Sequence, residues 1–402
     1  MSTKKSAWQE CLLKDVITVK KGKKPKDLYS EYQSGLMPYI DIKCFEKNII
    51  DNYGYSDKMV IYDSNENHIL LVWDGARSGL VGEFEGVGIV CSTTALIITS
   101  INKNFLKYYL NSKYTFLNKN TKGTGIPHIN PDKLLNLKIL VPPLEEQKLI
   151  VEKIESEFQK IDNALNKLNI IKEQIKQYKQ SVLKYAFDEN NSFAKGSNYE
   201  PYEWEEKILD DVCYINPTTI IPEDFNDDTE VSFLPMANVE ACTNNYTENI
   251  EKYQKVKKGY TKFQENDILF AKITPCMENG KICVINKLKS KIGFGSTEFH
   301  VIRNKENVFI DFIYYFVSSE EFRMNAKQKM TGAVGQKRVP ASYLTNHIIK
   351  IPNIELQKTI ADNIQNIFDK VDNIENNINE NIDKLNVLKQ AVLKKAFEGK
   401  LI

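Results

Sequence analysis

The segment KQSVLKYAF, Lys179–Phe187, returns almost unchanged as KQAVLKKAF, Lys389–Phe397, near the end of the 402-residue chain. When the same offset of 210 is held without gaps, residues 121–187 align with 331–397, and 24 of the 67 aligned positions are identical. Similarity upstream of these aligned segments is faint over most of the chain. The pattern predicts a tandem duplication in which a variable block and a shared helical segment each occur twice.

Each shared segment predicts one long helix. No Pro or Gly interrupts the chain from about 145 to 187, which is long for a globular helix. Apolar side chains recur every three and four residues, as in a coiled-coil seam. The seam and partner-binding residues are predicted to be Ile154, Phe158, Ile161 and Leu165 in the first segment, and Ile364, Phe368, Val371 and Ile374 in the second.

Two arrangements of these helices fit the pattern. Each helix could be an ordinary amphipathic helix that lies on its own block, or the two helices could pair with each other. Two apolar stripes of equal length favour pairing. Asn381 falls on the second stripe and, if it were buried between the helices, would help to fix their register at some cost in stability.

The variable blocks are predicted to be mixed, strand-rich domains. They begin alike, with WQECLLKDV from Trp8 and WEEKILDDV from Trp204. Short β-branched and aromatic runs such as HILLVW and FHVIR, separated by Gly and Asn, indicate strands and turns. NFLKYYLNS and DFIYYFVSSEEFRMNA indicate short amphipathic helices, and the polar DENNSFAKGSNYE indicates a linker.

Composition excludes several classes of protein. A content of 42% hydrophobic and 27% charged residues is typical of a globular protein. No apolar run is long enough to span a membrane, and the first residues lack a signal-peptide core. Seven cysteines without a CxxC pair indicate free thiols rather than disulfides or zinc ligands. The net charge of +1 argues against a surface that is positive all over, but it allows a basic groove.

Motifs that could indicate catalysis lack their partners. FEGVG, Phe84–Gly88, matches the FxGxG loop of adenine methyltransferases, but no N/D-P-P-aromatic motif accompanies it. Pro131-Asp132 with Glu146 and Lys148 imitates a PD…ExK nuclease, yet the second copy lacks the aspartate and the glutamate. No phosphate-binding loop occurs, and the four histidines show no metal-ligand spacing. We predict no catalytic residues, no metal and no cofactor.

The duplicated segments resemble the DNA-specificity subunit of type I restriction-modification systems. The resemblance is carried by GTGIPHINPDKLLNLKILVPPLEEQKLIVEKI, by GAVGQKRVPASYLTNHIIKIPNIELQKTIADNI and by FLPMANVE…NDILFAKITPCMENGK, and it extends over about 8–397. It implies an α+β fold with two strand-rich target-recognition domains in tandem. Each domain is followed by a long helix, and the two helices pack as an antiparallel coiled coil.

The resemblance also implies a division of the chain and a set of partners. The expected segments are target-recognition domain 1 over 1–141, a central spacer helix over 142–187, a linker over 188–203, target-recognition domain 2 over 204–351 and a C-terminal spacer helix over 352–402. The expected partners are double-stranded DNA and two methyltransferase (modification) subunits, with translocase-nuclease (restriction) subunits left open and no membrane. A cytoplasmic bacterial or archaeal protein is expected, which directs adenine methylation and cleavage by its partners at a bipartite, asymmetric target.

Basic and polar residues in turns are the candidates for contacting DNA. They are Lys21, Lys23, Lys24, Lys26, Arg77, Ser78, Lys122, Thr124 and His128 in the first unit, and Lys272, Thr274, Lys281, Lys327, Gln336, Lys337 and Arg338 in the second. Arg77 and the loop 336–338 are favoured, because Arg and Gln can bond bidentately to base edges. The second copy has Gly335-Gln336, a common form in the family, where the first has Gly125-Ile126, so a DNA contact at Ile126 stays open.

Other functions also stay open. The chain could be a modification enzyme that works alone, although the missing base-binding motif argues against it. It could be a coiled-coil interaction protein without a DNA role, or the specificity subunit of a related methyltransferase-only or defence system. Salt-dependent, sequence-selective binding to duplex DNA would exclude the interaction protein.

Overall fold

The computed structural model describes residues 8–123, 125–190, 203–333 and 335–401. The chain divides into two compact units, the first made of Met1–Asn169 and Asn379–Ile402 and the second of Ile170–Ile378. The candidate Thr124 and most of the expected linker lie outside the described residues.

The first unit contains a strand-rich block followed by the start of a long helix. Its strands are β1 Gln9–Leu12, β2 Ile17–Lys21, β3 Met37–Ile40, β4 Tyr53–Gly54, β5 Ile61–Asp63, β6 His68–Val72, β7 Val81–Gly82, β8 Val87–Val90, β9 Thr94–Thr99 and β10 Lys138–Val141. Its helices are α1 Ile42–Lys47, α2 Lys103–Ser112, α3 Tyr114–Lys119, α4 Pro131–Leu135 and the long α5 Leu144–Ala186, which continues into the second unit.

The second unit repeats this order of strands. Its strands are β11 Glu205–Ile208, β12 Cys213–Ile215, β13 Glu230–Leu234, β14 Asn249–Lys252, β15 Thr261–Phe263, β16 Ile268–Ala271, β17 Ile282–Val284, β18 Gly293–Gly295, β19 Phe299–Asn304 and β20 Ile348–Ile351. Its helices are α6 Leu209–Val212, α7 Tyr253–Val256, α8 Ile310–Ser318, α9 Glu320–Gln328, α10 Ala341–Thr345 and the long α11 Ile354–Phe397, which ends in the first unit.

The two blocks share one sheet topology. The strand orders are β2-β9-β6-β7, β4-β3-β8-β5 and β1-β10 in the first unit, and β12-β19-β16-β17, β14-β13-β18-β15 and β11-β20 in the second. The pairs β3-β8 and β13-β18 are parallel, whereas β1-β10 and β11-β20 are antiparallel. Sheet register depends on which side chains are buried more than on their identity. Blocks with faint sequence similarity can therefore fold alike.

Both long helices contribute to both hydrophobic cores. In the first unit Phe105 of α2 is buried together with Ile154 of α5 and Leu393 of α11. In the second unit Leu183 of α5 and Ile364 of α11 are buried in one core. The start of each helix therefore packs on its own block, as one of the two predicted arrangements required.

The two copies share the motif P-x-x-E-x-Q-K, at 142–148 and 352–358, and its glutamine connects each helix to its block. The Gln147 side chain donates to the carbonyl of Pro142 at 2.8 Å and accepts from the N–H of Asn102, just before α2, at 2.9 Å. Gln357 forms the same two bonds, with Pro352 and with the N–H just before α8, both at 2.8 Å. Both side chains are buried. The motif thus satisfies backbone groups at the junction of helix and block.

The two helices also pair with each other, and they run antiparallel. In the first unit Lys389 of α11 forms an ion pair with Asp162 of α5 and lies 5.3 Å from the centre of the Phe158 ring. In the second unit Lys179 of α5 forms an ion pair with Asp372 of α11 and lies 5.5 Å from the equivalent phenylalanine ring. The start of each helix thus meets the end of the other. The predicted fold class, including the antiparallel coil, is confirmed.

Only some of the residues on the predicted apolar stripes are buried in the seam between the helices. The buried seam residues are Ile154, Ile161, Ile364 and Val371, and the partly buried ones are Phe158, Leu165 and Phe368. Ile374 is 51% exposed, so it stays a predicted partner-binding residue, and Asn381 is exposed, so it does not fix the register of the helices as a buried residue. In the described part of the chain, no helix is both long enough and apolar enough to cross a membrane.

Candidate nucleic-acid interface

In the first unit, the side chain of Ser78 stabilises the turn between β6 and β7. Gly75 and Gly79 have φ angles of +104° and +96°, a conformation that favours glycine. The buried hydroxyl of Ser78 lies 2.6 Å from the carbonyl oxygen of Gly75 and 3.2 Å from that of Pro127. The prediction that Ser78 contacts DNA is therefore corrected, because its side chain stabilises the turn and does not reach the surface.

Asp74 joins this turn to two other segments. Its carboxylate lies 2.9 Å from Lys21 Nζ at the end of β2, and 2.6 Å from Nδ1 of His128. His128 in turn closes a hairpin, because its backbone exchanges hydrogen bonds of 2.8 Å with Lys122. Three predicted DNA-contacting segments thus meet at one partly buried carboxylate. Sequence reasoning missed Asp74, although it stands next to the favoured basic turn in WDGARSG.

The other candidates of the first unit lie at the surface. Arg77 is about half exposed and forms an ion pair with Glu46. Lys122 lies 3.0 Å from Asp132. Within the described residues no ion pair is formed by the exposed side chains of Lys23, Lys24 and Lys26. These three lysines lie within five residues of Lys21 and remain available to an anionic partner.

In the second unit, a turn and a hairpin meet in the same way. Backbone hydrogen bonds of 3.0 and 2.8 Å close the hairpin between Thr331 and Arg338. The turn after β16 reaches this hairpin through the N–H of Thr274, which donates to the carbonyl of Lys337 at 2.9 Å. The predicted candidates on the turn and on the hairpin are therefore brought together, although they are distant in sequence.

A carboxylate also anchors this hairpin. Arg338 donates from Nε and Nη2 to the two carboxylate oxygens of Glu298, at 2.9 and 2.8 Å. These hydrogen bonds lower the pKa of the Glu298 carboxyl and raise the pKa of the Arg338 guanidinium. Both groups are therefore charged over a wide pH range. Glu298 was missed, since it stands 40 residues from Arg338 with no local signal.

The anchored residues are equivalent, but their carboxylate partners are not. His128 and Arg338 lie 210 residues apart, at the offset of the duplication. The N–H of Trp73, just after β6, donates to the carbonyl of Thr93, and the N–H of Lys272, just after β16, donates to the carbonyl of Glu298. Glu298 therefore occupies the position of Thr93 in the first unit and not that of Asp74. Each unit thus holds the same hairpin position with an acidic residue taken from a different segment.

The side chains of the other candidates in the second unit differ in their contacts. Thr274 Oγ1 lies 2.7 Å from a carboxylate oxygen of Glu278, and Lys281 Nζ donates to the carbonyl of Met236 at 2.9 Å. Lys281 is therefore directed to another part of the unit. The exposed candidates are Lys327 on α9 and Gln336 and Lys337 on the hairpin, and Lys272 is partly exposed.

Beneath the hairpin lies a buried histidine. His300 is buried, its Nε2 lies 2.8 Å from the carbonyl oxygen of Val339, and its Nδ1 lies 3.0 Å from the side-chain nitrogen of Asn216. Burial lowers the pKa of this imidazole. Because a carbonyl oxygen can only accept, Nε2–H is the donor to Val339. Over the residues that the structure describes, no cluster of His, Cys, Asp and Glu is arranged to hold a metal ion.

Known proteins are similar to this chain over nearly its whole length. A model of the family described as the type I restriction modification DNA specificity domain matches twice, over residues 5–177 and 201–384. The type I restriction enzyme MjaVIII specificity subunit of Methanocaldococcus jannaschii is 28% identical over 412 aligned residues, which cover 98% of this chain and 93% of that protein. The EcoAI specificity subunit of Escherichia coli is 35% identical over 182 residues, which cover 44% of this chain and 30% of that protein.

Solved structures show the same fold. A chain solved in work on complex assembly and conformational transition of the type I R-M system has a TM-score of 0.72 at 17% identity, with 98% of each chain covered. The crystal structure of the HsdS subunit from Thermoanaerobacter tengcongensis has a TM-score of 0.54 at 18% identity, again with 98% of each chain covered.

Proposed function

Because the chain belongs to the type I restriction modification DNA specificity family, we propose that it is the DNA-recognition subunit of such a system and has no catalytic site of its own. The observation that carries this proposal is the repeated turn-and-hairpin cluster, with His128 anchored in one unit and Arg338 in the other. Exposed basic side chains flank both clusters. Such clusters suit duplex DNA, because lysine side chains bind its phosphates and oriented hydrogen-bond donors bind the acceptor atoms on its base edges.

Each unit would bind one half of a bipartite target. The blocks 1–141 and 204–351 would be the target-recognition domains. His128 and Arg338 differ in chemistry, so the two halves would differ in sequence, which makes the target asymmetric. The exposed lysines on the turns and hairpins would contact phosphates and set the position of the protein on the duplex.

The long helices would bind the partner subunits. Three exposed apolar side chains lie along one groove between α5 and α11 in the second unit, namely Ile171, Tyr178 and Ile374. Apolar side chains exposed together favour a protein partner. We propose that modification subunits bind along these helices and supply adenine methylation, and that restriction subunits, where the host encodes them, supply cleavage.

The test is methylation by the reconstituted complex. We expect the full chain, purified with the modification subunit from its own host, to direct adenine methylation to one bipartite motif in a duplex library. The modification subunit alone should leave that motif unmethylated. Methylation by this chain without a partner would contradict the non-catalytic role. Equal methylation of all sequences would contradict DNA recognition and favour the interaction-protein alternative.

Helix length is expected to set the gap in the target. Helix α5 passes from the first unit to the second after Asn169, and α11 passes back after Ile378. Four residues inserted after Leu168 and four after Ile378, at matching positions of the duplication, should lengthen both helices by about 6 Å. Since stacked bases are about 3.4 Å apart, the preferred gap should grow by one or two base pairs.

Methylation mapping on targets with graded gaps would measure this change. The specified bases on either side should stay the same, because neither block is altered. An insertion in α5 alone serves as the control, since it shifts α5 against α11 and should weaken the pairing of the helices. An unchanged gap preference in the double insertion would refute the spacer role.

A further inference from the structure

The guanidinium of Arg338 is fixed in orientation and keeps donors free. Nε and Nη2 bond to Glu298, and Nη1 donates to the carbonyl of Gln336 at 3.0 Å. An arginine has five N–H donors, so these three bonds leave two for a ligand. The Arg338 side chain is 42% exposed and that of Glu298 is 24% exposed. A ligand can therefore reach both members of the pair.

The hairpin that carries Arg338 is itself held in place. Backbone hydrogen bonds between Thr331 and Arg338 close the hairpin, and the N–H of Thr274 donates to the carbonyl of Lys337 and joins the hairpin to the turn after β16. The carbonyl of Val339, the next residue, accepts from buried His300. A donor supported on both sides in this way loses little conformational freedom on binding, which favours directional recognition.

The charge of the pair argues against a phosphate contact. The Glu298 carboxylate neutralises Arg338 and would itself repel a phosphate at close range. Lys337 is the next residue along the hairpin, and no described residue forms an ion pair with it. Lys337 is therefore better suited to bind a phosphate. Arg338 instead presents hydrogen-bond donors in a fixed direction, and the Arg338–Glu298 pair has no net charge.

A guanine–cytosine base pair suits this combination of groups. In the major groove guanine presents O6 and N7 as acceptors, which an arginine can bond bidentately, and cytosine presents the N4 amino group, which a carboxylate can accept. We propose that Arg338 and Glu298 together read one G·C pair in the half-site of the second unit, with Arg338 on guanine and Glu298 both positioning Arg338 and accepting from cytosine. This inference rests on the proposed function and adds the base pair that is read.

Selection from a randomised duplex library tests the proposal. The full chain, with the subunits that co-purify from its host, is expected to select a motif with a specified G·C pair in one half-site. Arg338→Ala should abolish the preference at that pair alone, a loss of roughly 5- to 150-fold in discrimination, since a bidentate contact is worth about 1–3 kcal/mol. The other specified positions should be unchanged.

Glu298→Gln is the second variant, because it keeps the shape of the side chain and removes its charge. This variant should weaken the same G·C preference. It should also increase the slope of log K against log salt concentration by about one, because the charge of Arg338 is no longer neutralised. Lys337→Ala is the matched control from the same hairpin. It should weaken binding to all sequences alike and reduce the salt slope by about one.

The outcomes separate this proposal from the function it rests on. If Arg338→Ala behaves like Lys337→Ala, then Arg338 is a phosphate contact and the inference is wrong. If the wild-type chain is selective and both variants keep every base preference, the inference is also wrong, while the proposed function stands. A wild-type complex without any sequence preference would overturn both. Melting curves of the three variants show whether the fold is kept.

Discussion

Arg303→Met is expected to lower the free energy of unfolding of the second unit by about 3–5 kcal/mol, the cost of leaving one member of a buried ion pair alone. Arg303 in β19 donates from Nε and Nη2 to the two carboxylate oxygens of Asp267, each at 2.7 Å. The Asp267 side chain is 0% exposed. After the substitution its main remaining donor is the N–H of Gln264 at 2.8 Å, which cannot compensate a full charge away from water.

Urea unfolding of the variant and the wild type gives the difference. The double variant Arg303→Met with Asp267→Leu is the matched control, because it removes both charges and leaves apolar groups of similar size. Most of the lost stability should return in the double variant, since an isosteric apolar pair often replaces a buried ion pair at little cost. A single variant as stable as the wild type would show that Asp267 finds another partner.

Ile364→Ala is expected to cost about 2–5 kcal/mol, the range for large-to-small substitutions in a packed core. Ile364 lies on α11, is 0% exposed, and packs in the core that the block shares with both long helices. Leu183 of α5 and Phe312 of α8 belong to the same buried cluster, so a cavity at Ile364 loosens a core that the block shares with both long helices. The effect on stability should therefore also loosen the pairing of the helices.

Ile374→Ala on the same helix is the control for Ile364→Ala. Both Ile364 and Ile374 lie on the apolar stripe predicted from the sequence, but Ile374 is 51% exposed. Its replacement should change stability by less than about 0.5 kcal/mol, as is usual at the surface. Because Ile374 lies on the apolar groove proposed for partner binding, the same variant should weaken recruitment of the modification subunit. Equal losses of stability in both variants would contradict the described packing of α11.

Local pattern in the sequence was sufficient to predict the two long helices and the two strand-rich blocks. The repeat at an offset of 210, the long segments without Pro or Gly and the periodic apolar residues predicted two long helices after two strand-rich blocks, and the helices are found as Leu144–Ala186 and Ile354–Phe397. Helical periodicity is a property of neighbours three and four residues apart, so it can be read without knowledge of the fold.

The width of the helix seam required the tertiary structure. Ile364 and Ile374 have the same place in the pattern, yet one is buried and the other half exposed. A stripe shows which face of a helix is apolar, but the neighbouring elements decide how much of that face is covered.

The recognition clusters depended on tertiary structure most of all. Asp74 meets His128 across 54 residues of sequence, and Glu298 meets Arg338 across 40. The sequence supplied the basic members, because Lys and Arg in Gly-rich turns are visible by composition. It could not supply their carboxylates, which come from non-equivalent segments in the two units, and it placed Ser78 at the surface although the turn buries it. These contacts exist only because strand pairing brings distant turns to one place, and strand pairing is not encoded in any local stretch of the chain.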